Sequence, residues 1–375
     1  MAAQRRAITE PPKHGYPLTT IKQQQRRGID MVEFTRRRFL QASGIAGAGL
    51  AAGLIRPSFA ADESLYAAAQ KEGALNLYWG SYEQQTIEAI RDAFTRRYTG
   101  IKVNLLRQAS QTIYTRLRLE LQNNAPNCDS LGSTNILHYL ELKKIGALMP
   151  YKPAGTEFLP QEFQGLDKDE TYQVGAISLT SLNFQSDKVT SAPTSWEAAL
   201  DAQWANKLTV GSPSFSGDVA SWVVAIRKKY GDHYLKELAK LKPKVGQSNV
   251  DTVTDILSGE RLVGLGAPFS YSLAQKAAGN PINVVTPTDG TILNLGLSAI
   301  PLKAPHPNAA KLFSGFLYDP EVSQILAANF WPTLRTDVPW AEGRSLSQLI
   351  WYRNPPEDLA AEVAEGIAKW KEIIG

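Results

Sequence analysis

The feature that most constrains the fold is an alternation of strand-like and helix-like segments that begins near residue 74. Apolar residues alternate at Leu75, Leu77 and Trp79, which is the period of a strand, and then recur every three or four positions over residues 87–98, which is the period of a helix. The same pair of patterns follows over residues 103–121, and a third strand and helix follow over residues 128–140. This repeated order predicts a parallel sheet covered by helices on both faces. The sequence therefore predicts an α/β fold.

A second strand–helix series follows an extended segment at residues 172–184. It begins with a strand at residues 207–210 and a helix that has one apolar stripe over residues 219–230. Further strand-like runs are found at residues 262–265, 282–285 and 295–302. Three helical patterns complete the chain. The second series predicts a second α/β unit.

We expect the two units to be two lobes joined by two crossover segments. The expected lobe 1 consists of residues 61–180 and 296–375, and the expected lobe 2 consists of residues 181–295. The second crossover contains the Pro- and Gly-marked residues 286–290. A cleft between two lobes is the default place for a small ligand to bind.

The N-terminal region predicts export. The run TRRRFL at residues 35–40 is followed by an apolar, glycine-interrupted stretch and by the small residues Ser58 and Ala60, which is typical of a twin-arginine signal cleaved before Ala61. The apolar stretch, residues 39–55, is too short and too rich in glycine for a membrane anchor. We interpret residues 31–60 as the signal peptide, and the periplasm as the destination. Residues 1–30 are interpreted as a disordered or non-native extension, and translation could start at Met1 or at Met31.

The charge balance changes when these segments are set aside. Residues 1–60 carry ten Lys/Arg and three Asp/Glu, whereas the whole chain has a net charge of +4, so residues 61–375 have a net charge of −3. A strongly basic surface is the usual requirement for binding nucleic acid or anionic lipid. We therefore expect no nucleic-acid partner.

Motifs of common enzymes are not found in residues 61–375. The three histidines, His138, His233 and His306, lie in separate segments, and the sequence has no His-Glu-x-x-His helix and no Gly-x-Ser-x-Gly turn. The single cysteine, Cys128, cannot form an internal disulfide and is expected in the core. We predict a protein that is not an enzyme and that needs no cofactor and no resident metal.

Six segments of the mature chain carry a family resemblance. They are EGALNLYWGSYEQ, AFTRRYTGIKVNLLR, LKKIGALMPY, TSWEAALDAQWANKLTVGSPSFSG, APHPNAAKLFSGFLYDPE and NFWPTLRTDVP. In this order and spacing, residues 61–339 resemble a periplasmic solute-binding protein of an ABC importer, of the two-lobed class that includes the ferric-ion-binding proteins. The resemblance implies a two-lobed periplasmic-binding-protein type II fold with two crossover hinge segments. It also implies a monomer that captures a small molecule or ion and delivers it to an ABC permease, whose ATPase subunit supplies the energy.

Three strand–helix junctions are predicted to contact the solute, because free backbone N–H groups and the positive end of the helix dipole are found where a helix begins. The resemblance implies that Ser216, Gly217 and Asn135 hold a small anion. Asp289 could pair with an ammonium group or form a turn, and Arg335 could bind a carboxylate. The candidate ligand-binding residues are Trp79, Ser81, Tyr82, Ser133, Thr134, Asn135, Ser214, Ser216, Gly217, Phe269, Tyr271, Asp289, Trp331 and Arg335.

The identity of the solute stays open. Ferric sites use anionic oxygen ligands such as paired tyrosinates, but this chain has the single Tyr271 where the relatives have two tyrosines, and Thr134 where they have an acidic ligand. The aromatic candidates favour an organic solute. Ferric iron, an iron–anion complex, a polyamine, a phosphonate and an aromatic acid are the alternatives, and a ligand-sensing adaptor or an exported enzyme is the alternative of another class.

Overall fold

The computed structural model describes residues 58–341, 344–354 and 356–375. The predicted N-terminal extension lies outside the described residues, and so does the predicted signal peptide except for residues 58–60, which begin the first helix. Within the described ranges, no helix has the length and apolar character that crossing a bilayer requires.

The first part of the chain forms the alternating elements that its sequence predicts. The elements are α1 (Ser58–Glu72), β1 (Ala74–Trp79), α2 (Gln84–Arg97), β2 (Lys102–Arg107), α3 (Ser110–Gln122), β3 (Ser130–Ser133) and α4 (Ile136–Lys144). The predicted apolar stripe of α2 is buried at Ile87, Ile90 and Phe94. Burial of this stripe against the sheet is what holds the helix in place.

The second part of the chain begins with a long strand and repeats the strand–helix order. Its elements are β4 (Gln173–Gln185), β5 (Leu208–Gly211), α5 (Gly217–Tyr230), α6 (Asp232–Lys240), β6 (Lys244–Gly246), α7 (Val250–Ser258), β7 (Val263–Pro268), α8 (Phe269–Ala277) and β8 (Ile282–Val285). The chain ends with β9 (Thr291–Ala299), α9 (Pro307–Phe316), α10 (Pro320–Ala328), β10 (Trp351–Tyr352) and α11 (Pro356–Ile373). The sequence predicts the last long strand at residues 295–302. The observed strand, β9, begins four residues earlier.

The ten strands form one sheet in which two long strands connect two parallel sets. The order is β2-β1-β3-β9-β4-β7-β5-β6, and β10 and β8 pair with β9 and β4, respectively. The pairs within β2-β1-β3 and within β7-β5-β6 are parallel, whereas β9 and β4 run antiparallel to each other and to their outer neighbours. The chain thus crosses from the first set to the second through β4 and returns through β9. This arrangement confirms the two predicted crossover segments.

Most buried apolar side chains belong to two clusters. The first cluster includes Trp79, Phe94 and Phe313 around the first parallel set, and the second includes Trp196 and Trp222 around the second set. Each parallel set therefore has its own core.

The last helix differs from the expected lobe arrangement, which assigns residues 296–375 to lobe 1. Trp370 of α11 belongs to the second core cluster, and Arg227 of α5 forms an ion pair of 2.6 Å with Glu365 of α11. The stripe of apolar residues in the sequence shows that this helix has one face to bury, but it does not show which core the face meets. The lobe boundaries stay predictions, and α11 packs with the second core.

Candidate functional site

Strand–helix junctions from both halves of the sheet meet at one cavity of about 280 Å³. The first wall of the cavity consists of residues 80–83, Arg107, residues 109–110, Thr134 and Trp331. The second wall consists of residues 215–218, 248–250 and 268–270. Ser178 and Leu179 of the crossover strand β4 lie between them. A solute in this cavity would contact both halves of the sheet and one crossover.

Five helices, α2, α3, α5, α7 and α8, begin at this cavity, and four of them lack a side-chain cap. Ser216 caps α5 by accepting a hydrogen bond of 3.4 Å from the N–H of Val219. The N-cap residues of the other four helices accept no such bond; they are Glu83, Ala109, Asn249 and Pro268. These first turns have a partial positive charge and N–H groups that no side chain caps, although in α7 the N–H groups of Asp251 and Thr252 donate to backbone oxygens at 3.3 Å. The cavity is therefore suited to an anion.

Several helices that begin outside the cavity have the caps that these four lack. Asn135 caps α4, and Asp319 caps α10. The carboxylate of Glu72 accepts hydrogen bonds from the first turn of α9, at 3.1 Å from the N–H of Asn308 and 2.8 Å from that of Ala309. Helix α6 has Gly231 as its N-cap residue and no side-chain cap. The uncapped helix starts are thus concentrated at the cavity.

Arg107, at the end of β2, is the one cation among the described residues that line the cavity. Its guanidinium donates to the backbone oxygen of Tyr82 and, at 2.9 Å, to that of Gln108, and it forms no ion pair within the described part of the chain. Burial lowers the pKa of Arg107, and the nearby Glu83 opposes this shift. An arginine starts from so high a pKa that it stays protonated at neutral pH. Its remaining N–H groups are available to a solute.

Two carboxylates also line the cavity. Glu83 accepts a hydrogen bond of 2.8 Å from the indole N–H of Trp331. Burial raises the pKa of Glu83, and this shift is opposed by Trp331 and by the charge of Arg107. Because burial disfavours the charged form of a carboxyl group, Glu83 takes up a proton at a higher pH than an exposed glutamate does.

Asp218 connects the second wall to the crossover strands. It accepts hydrogen bonds from the side chains of Ser178 at 3.4 Å, Asn294 at 3.1 Å and Asn249 at 3.5 Å. Burial raises the pKa of Asp218, and these three donors oppose the shift. Asp218 therefore ties the start of α5 to β4, β9 and α7.

The aromatic side chains Tyr82, Trp331 and Phe269 of the cavity are bonded to or packed against other parts of the protein. The Tyr82 hydroxyl donates to the backbone oxygen of Gly175 at 2.7 Å, and the ring of Trp331 packs edge-on against Tyr82 with 4.8 Å between centroids. Phe269 packs against Trp340 with 5.5 Å between centroids. These rings form fixed, apolar parts of the lining.

Ser81 differs from these aromatics in having an unused polar atom. Its side-chain oxygen is buried and has no hydrogen-bond partner among the described residues. Buried hydroxyl groups rarely stay unpaired. Because this oxygen has almost no accessible surface, the Ser81 side chain would have to rotate toward the cavity to bond a solute.

Half of the residues predicted to contact a solute line this cavity. They are Ser81, Tyr82, Thr134, Ser216, Gly217, Phe269 and Trp331. The remaining candidates lie elsewhere and are Trp79, Ser133, Asn135, Ser214, Tyr271, Asp289 and Arg335.

The two charged candidates outside the cavity are bonded within the protein. Asp289 accepts hydrogen bonds from the backbone N–H of Trp196 at 2.9 Å and from the hydroxyl of Tyr230 at 2.5 Å. Arg335 forms an ion pair of 2.6 Å with Asp337 and is largely buried. Both side chains stabilise local structure, because each has a partner that a solute would have to displace.

The uncharged candidates outside the cavity are also part of the local structure. Trp79 is buried in the first core cluster, and Tyr271 packs against a small third cluster around Val253. Ser133 is buried in β3 and lies 2.9 Å from the Nδ1 atom of His138. Burial lowers the pKa of His138 to about 3, so this histidine is neutral at physiological pH. Asn135 and Ser214 line a smaller neighbouring cavity.

Sequence reasoning missed several polar residues of the cavity. They number eight: Glu83, Arg107, Ser110, Ser178, Asp218, Ser248, Asn249 and Ser270. The junctions β2–α3 and β6–α7 follow the same strand–helix rule that found the other junctions, so Arg107 and Asn249 could have been found by applying it throughout. Ser178 lies inside a strand, and its sequence context gives no comparable signal.

The cavity offers few ligands for a metal ion. The described residues contain no group of three or more His, Cys, Asp or Glu side chains that could hold a metal. Tyr271 lies outside the cavity, and Tyr82, whose pKa burial raises well above its usual value, is the one tyrosine among the described residues of the lining. The lining therefore lacks the paired tyrosines that ferric sites typically use.

A sequence profile described as "Bacterial extracellular solute-binding protein" matches residues 138–346, which is more than half of the chain. The chain belongs to this family. A curated relative, an uncharacterized protein of Haemophilus influenzae, is 23% identical over 249 residues, which cover 64% of this chain and 71% of the relative.

Solved structures of binding proteins share the fold. The periplasmic binding protein AfuA from Actinobacillus pleuropneumoniae, with exogenous fructose-6-phosphate bound, is similar with a TM-score of 0.71 at 19% identity, over 80% of this chain and 98% of AfuA. Iron-bound HitA from Pseudomonas aeruginosa is similar with a TM-score of 0.68 at 19% identity, over 80% of this chain and 99% of HitA. These similarities confirm the two-lobed type II fold of periplasmic binding proteins. The chain is a solute-binding protein.

Proposed function

We propose that this solute-binding protein is the periplasmic substrate-binding component of an ABC importer and that its solute is a small organic anion. The observation that supports the anion is the group of four uncapped helix starts at one cavity, beside Arg107. A phosphate or phosphonate group can accept several hydrogen bonds at once from backbone N–H groups and a guanidinium. The fructose-6-phosphate bound by the similar protein AfuA is a solute of this chemical kind.

Free ferric iron is the second candidate, and the similarity to iron-bound HitA favours it. The side chains of the cavity favour it less. Fe³⁺ needs several anionic oxygen ligands, whereas the hydroxyl of Tyr82 is bonded to the backbone oxygen of Gly175 and Asp218 already accepts three hydrogen bonds. An organic anion would instead bind the uncapped helix starts and the guanidinium of Arg107.

Closure of the two lobes is the proposed transport step. A solute that contacts both walls stabilises the closed state by its greater affinity for that state, and β4 and β9 are the segments about which the lobes would move. The closed form would dock on a permease, whose ATPase supplies the energy. A sensor with the same fold would dock on a receptor instead, so the partner recovered by cross-linking in cells distinguishes the two.

The test of the solute class is calorimetric titration of residues 61–375 with inorganic phosphate, fructose 6-phosphate, putrescine and ferric citrate. We expect at least one phosphate compound to bind and putrescine to show no binding. Binding of iron with a tyrosinate charge-transfer band, and no binding of either phosphate compound, would contradict the proposal. Citrate alone is the control for the ferric solution.

Export by the twin-arginine route is part of this proposal. Replacement of Arg36, Arg37 and Arg38 by lysine should keep the protein out of the periplasmic fraction, because the pathway recognises arginines in this run. The full chain is compared with a version that starts at Met31, which should be exported equally well. An N-terminus at or near Ala61 on the periplasmic protein supports cleavage, and retention of residues 39–55 in the membrane fraction contradicts it.

A further inference from the structure

We propose that Phe215 is a lid that gives the cavity a preference for anions with a planar, apolar body, such as an aryl phosphate. The inference rests on the proposed function, because it assumes that the anionic group is held at the uncapped helix starts. It adds a chemical requirement for the rest of the solute.

Phe215 is unusual in being both exposed and part of the cavity. At 66% exposure it is the most exposed large hydrophobic side chain in the described part of the chain, and it lies in the loop between β5 and α5. A single exposed apolar residue is common on protein surfaces and needs no explanation. The location of Phe215 in the lining, next to Ser216 and Gly217, is what links its exposure to the solute.

Hydrogen bonds fix the backbone around Phe215, so we expect its side chain to move more easily than the loop. The N–H groups of Phe215 and Ser216 both donate to the backbone oxygen of Ser212 at 3.3 Å. Gly217 lies against the first wall so closely that a Cβ atom there would be 3.3 Å from the Oγ1 atom of Thr134. The loop therefore presents the phenyl ring from a fixed position at the junction of the two walls.

Phe215 borders a cavity on each side of the loop, and each cavity has some apolar lining. On one side is the solute cavity, where Phe269 and Trp331 provide fixed aromatic surface. On the other side is a neighbouring cavity of about 160 Å³, which Phe215 also lines together with Val363 and Ile367 of α11. Phe215 thus lines both cavities, and a change of rotamer would move its ring from one toward the other.

A solute with a flat apolar body gains from this arrangement in a way that a polyol does not. Its body would lie between Phe215 and the fixed aromatic surface of Phe269 and Trp331, where aromatic rings attract each other beyond simple burial. A hydroxyl-rich ester would leave Phe215 exposed. The lid therefore selects among anions without contributing to the binding of the anionic group.

The test compares three probes on four proteins. Inorganic phosphate, glycerol 3-phosphate and phenyl phosphate are titrated into the parent chain, Phe215→Ala, Phe215→Trp and the control Ile350→Ala, which truncates an apolar residue of 59% exposure outside the cavity. We expect the parent to bind phenyl phosphate about tenfold more tightly than glycerol 3-phosphate. Phe215→Ala should abolish this preference and leave the affinity for inorganic phosphate unchanged. Phe215→Trp and Ile350→Ala should keep the preference.

The outcomes separate the lid from the proposed function. Equal affinities for the two esters in the parent chain, or a preference that survives in Phe215→Ala, would overturn the lid while leaving an anion-binding cavity. If none of the three probes binds, the proposed function fails and the lid fails with it. A Phe215→Ala protein with unchanged affinities and impaired uptake in cells would show a permease-docking residue, which also overturns the lid.

Discussion

The two walls of the cavity differ in what they present to a solute. The first wall presents a charged side chain with unused bonding capacity, the guanidinium of Arg107. The second wall presents helix starts, because its polar side chains are already bonded: Asp218 accepts three hydrogen bonds and Ser216 caps α5. Substitutions of polar residues in the first wall should therefore change recognition, whereas those of polar residues in the second should mainly change stability.

The largest expected effect concerns the core beneath the second wall. Trp222 is fully buried on α5 and packs against Trp196 with 5.7 Å between ring centroids. Trp222→Ala should lower the free energy of unfolding by about 3–5 kcal/mol, because it leaves a large cavity in the core. The measurement is denaturant unfolding without solute.

Trp222→Phe is the matched control for that substitution. The indole nitrogen of Trp222 has no hydrogen-bond partner among the described residues, so phenylalanine removes volume without breaking a bond. We expect a smaller loss of stability than for alanine. Equal stability of Trp222→Ala and the parent chain would show that the second wall does not depend on this core.

The next effect is on recognition by the first wall. Arg107→Gln should weaken the binding of a phosphate ester by about tenfold to a hundredfold, because a hydrogen bond to a charged group contributes about 1.5–3 kcal/mol. Arg107→Lys should weaken it less, since it keeps the charge but loses the forked geometry. Calorimetry gives the affinities, and Arg96→Gln, on the exposed surface at the other end of α2, is the control. An unchanged affinity in Arg107→Gln would show that Arg107 does not contact the bound solute.

The parts of the fold that the sequence predicts are those with local periodicity. The strand–helix order, the two crossovers and the stripe of α2 all follow from apolar spacing within a short window. The packing of α11 on the second core does not follow from apolar spacing. The stripe at residues 359–374 shows that the helix has an apolar face, and this face is equally suited to either core. Long-range docking is not encoded in the period of one helix.

The candidate site shows the same limit at the level of side chains. Ser81 and Ser216 were found because they lie where strands end, which is a local signal. Asp289 has equally suitable chemistry, but its partner Tyr230 comes from a distant segment. Arg335 bonds the backbone oxygen of Tyr318, although its ion-pair partner Asp337 is only two residues along the chain. Sequence alone identifies a polar residue at a junction, and the folded structure decides whether another residue of the chain has already bonded it.

A smaller effect should separate capping from recognition in the second wall. Ser216→Ala should lower the free energy of unfolding by about 1 kcal/mol, because α5 loses its N-cap. The affinity for a phosphate ester should change less than it does in Arg107→Gln. Ser216→Asp restores a capping oxygen and should recover the stability measured by denaturant unfolding. A tenfold loss of affinity in Ser216→Ala with no loss of stability would mean that this hydroxyl binds the solute directly.

The smallest expected effect is a pH dependence that arises in the first wall. Burial raises the pKa of Glu83, which faces the cation of Arg107, the indole N–H of Trp331 and, across the cavity, Asp218. When Glu83 is ionised it repels a bound anion, and when it is protonated it does not, so the affinity for an anion should fall as the pH rises through the pKa of Glu83. Glu83→Gln removes this charge at every pH.

The ratio of the affinities of Glu83→Gln and the parent chain should therefore be near one at low pH and rise to about threefold at higher pH. Because the ratio is taken at each pH with the same solute, the titration of the phosphate group itself cancels. A ratio that stays constant from acid to neutral pH would show that Glu83 does not change its charge in this range, and that Arg107 alone accounts for the electrostatics of the first wall.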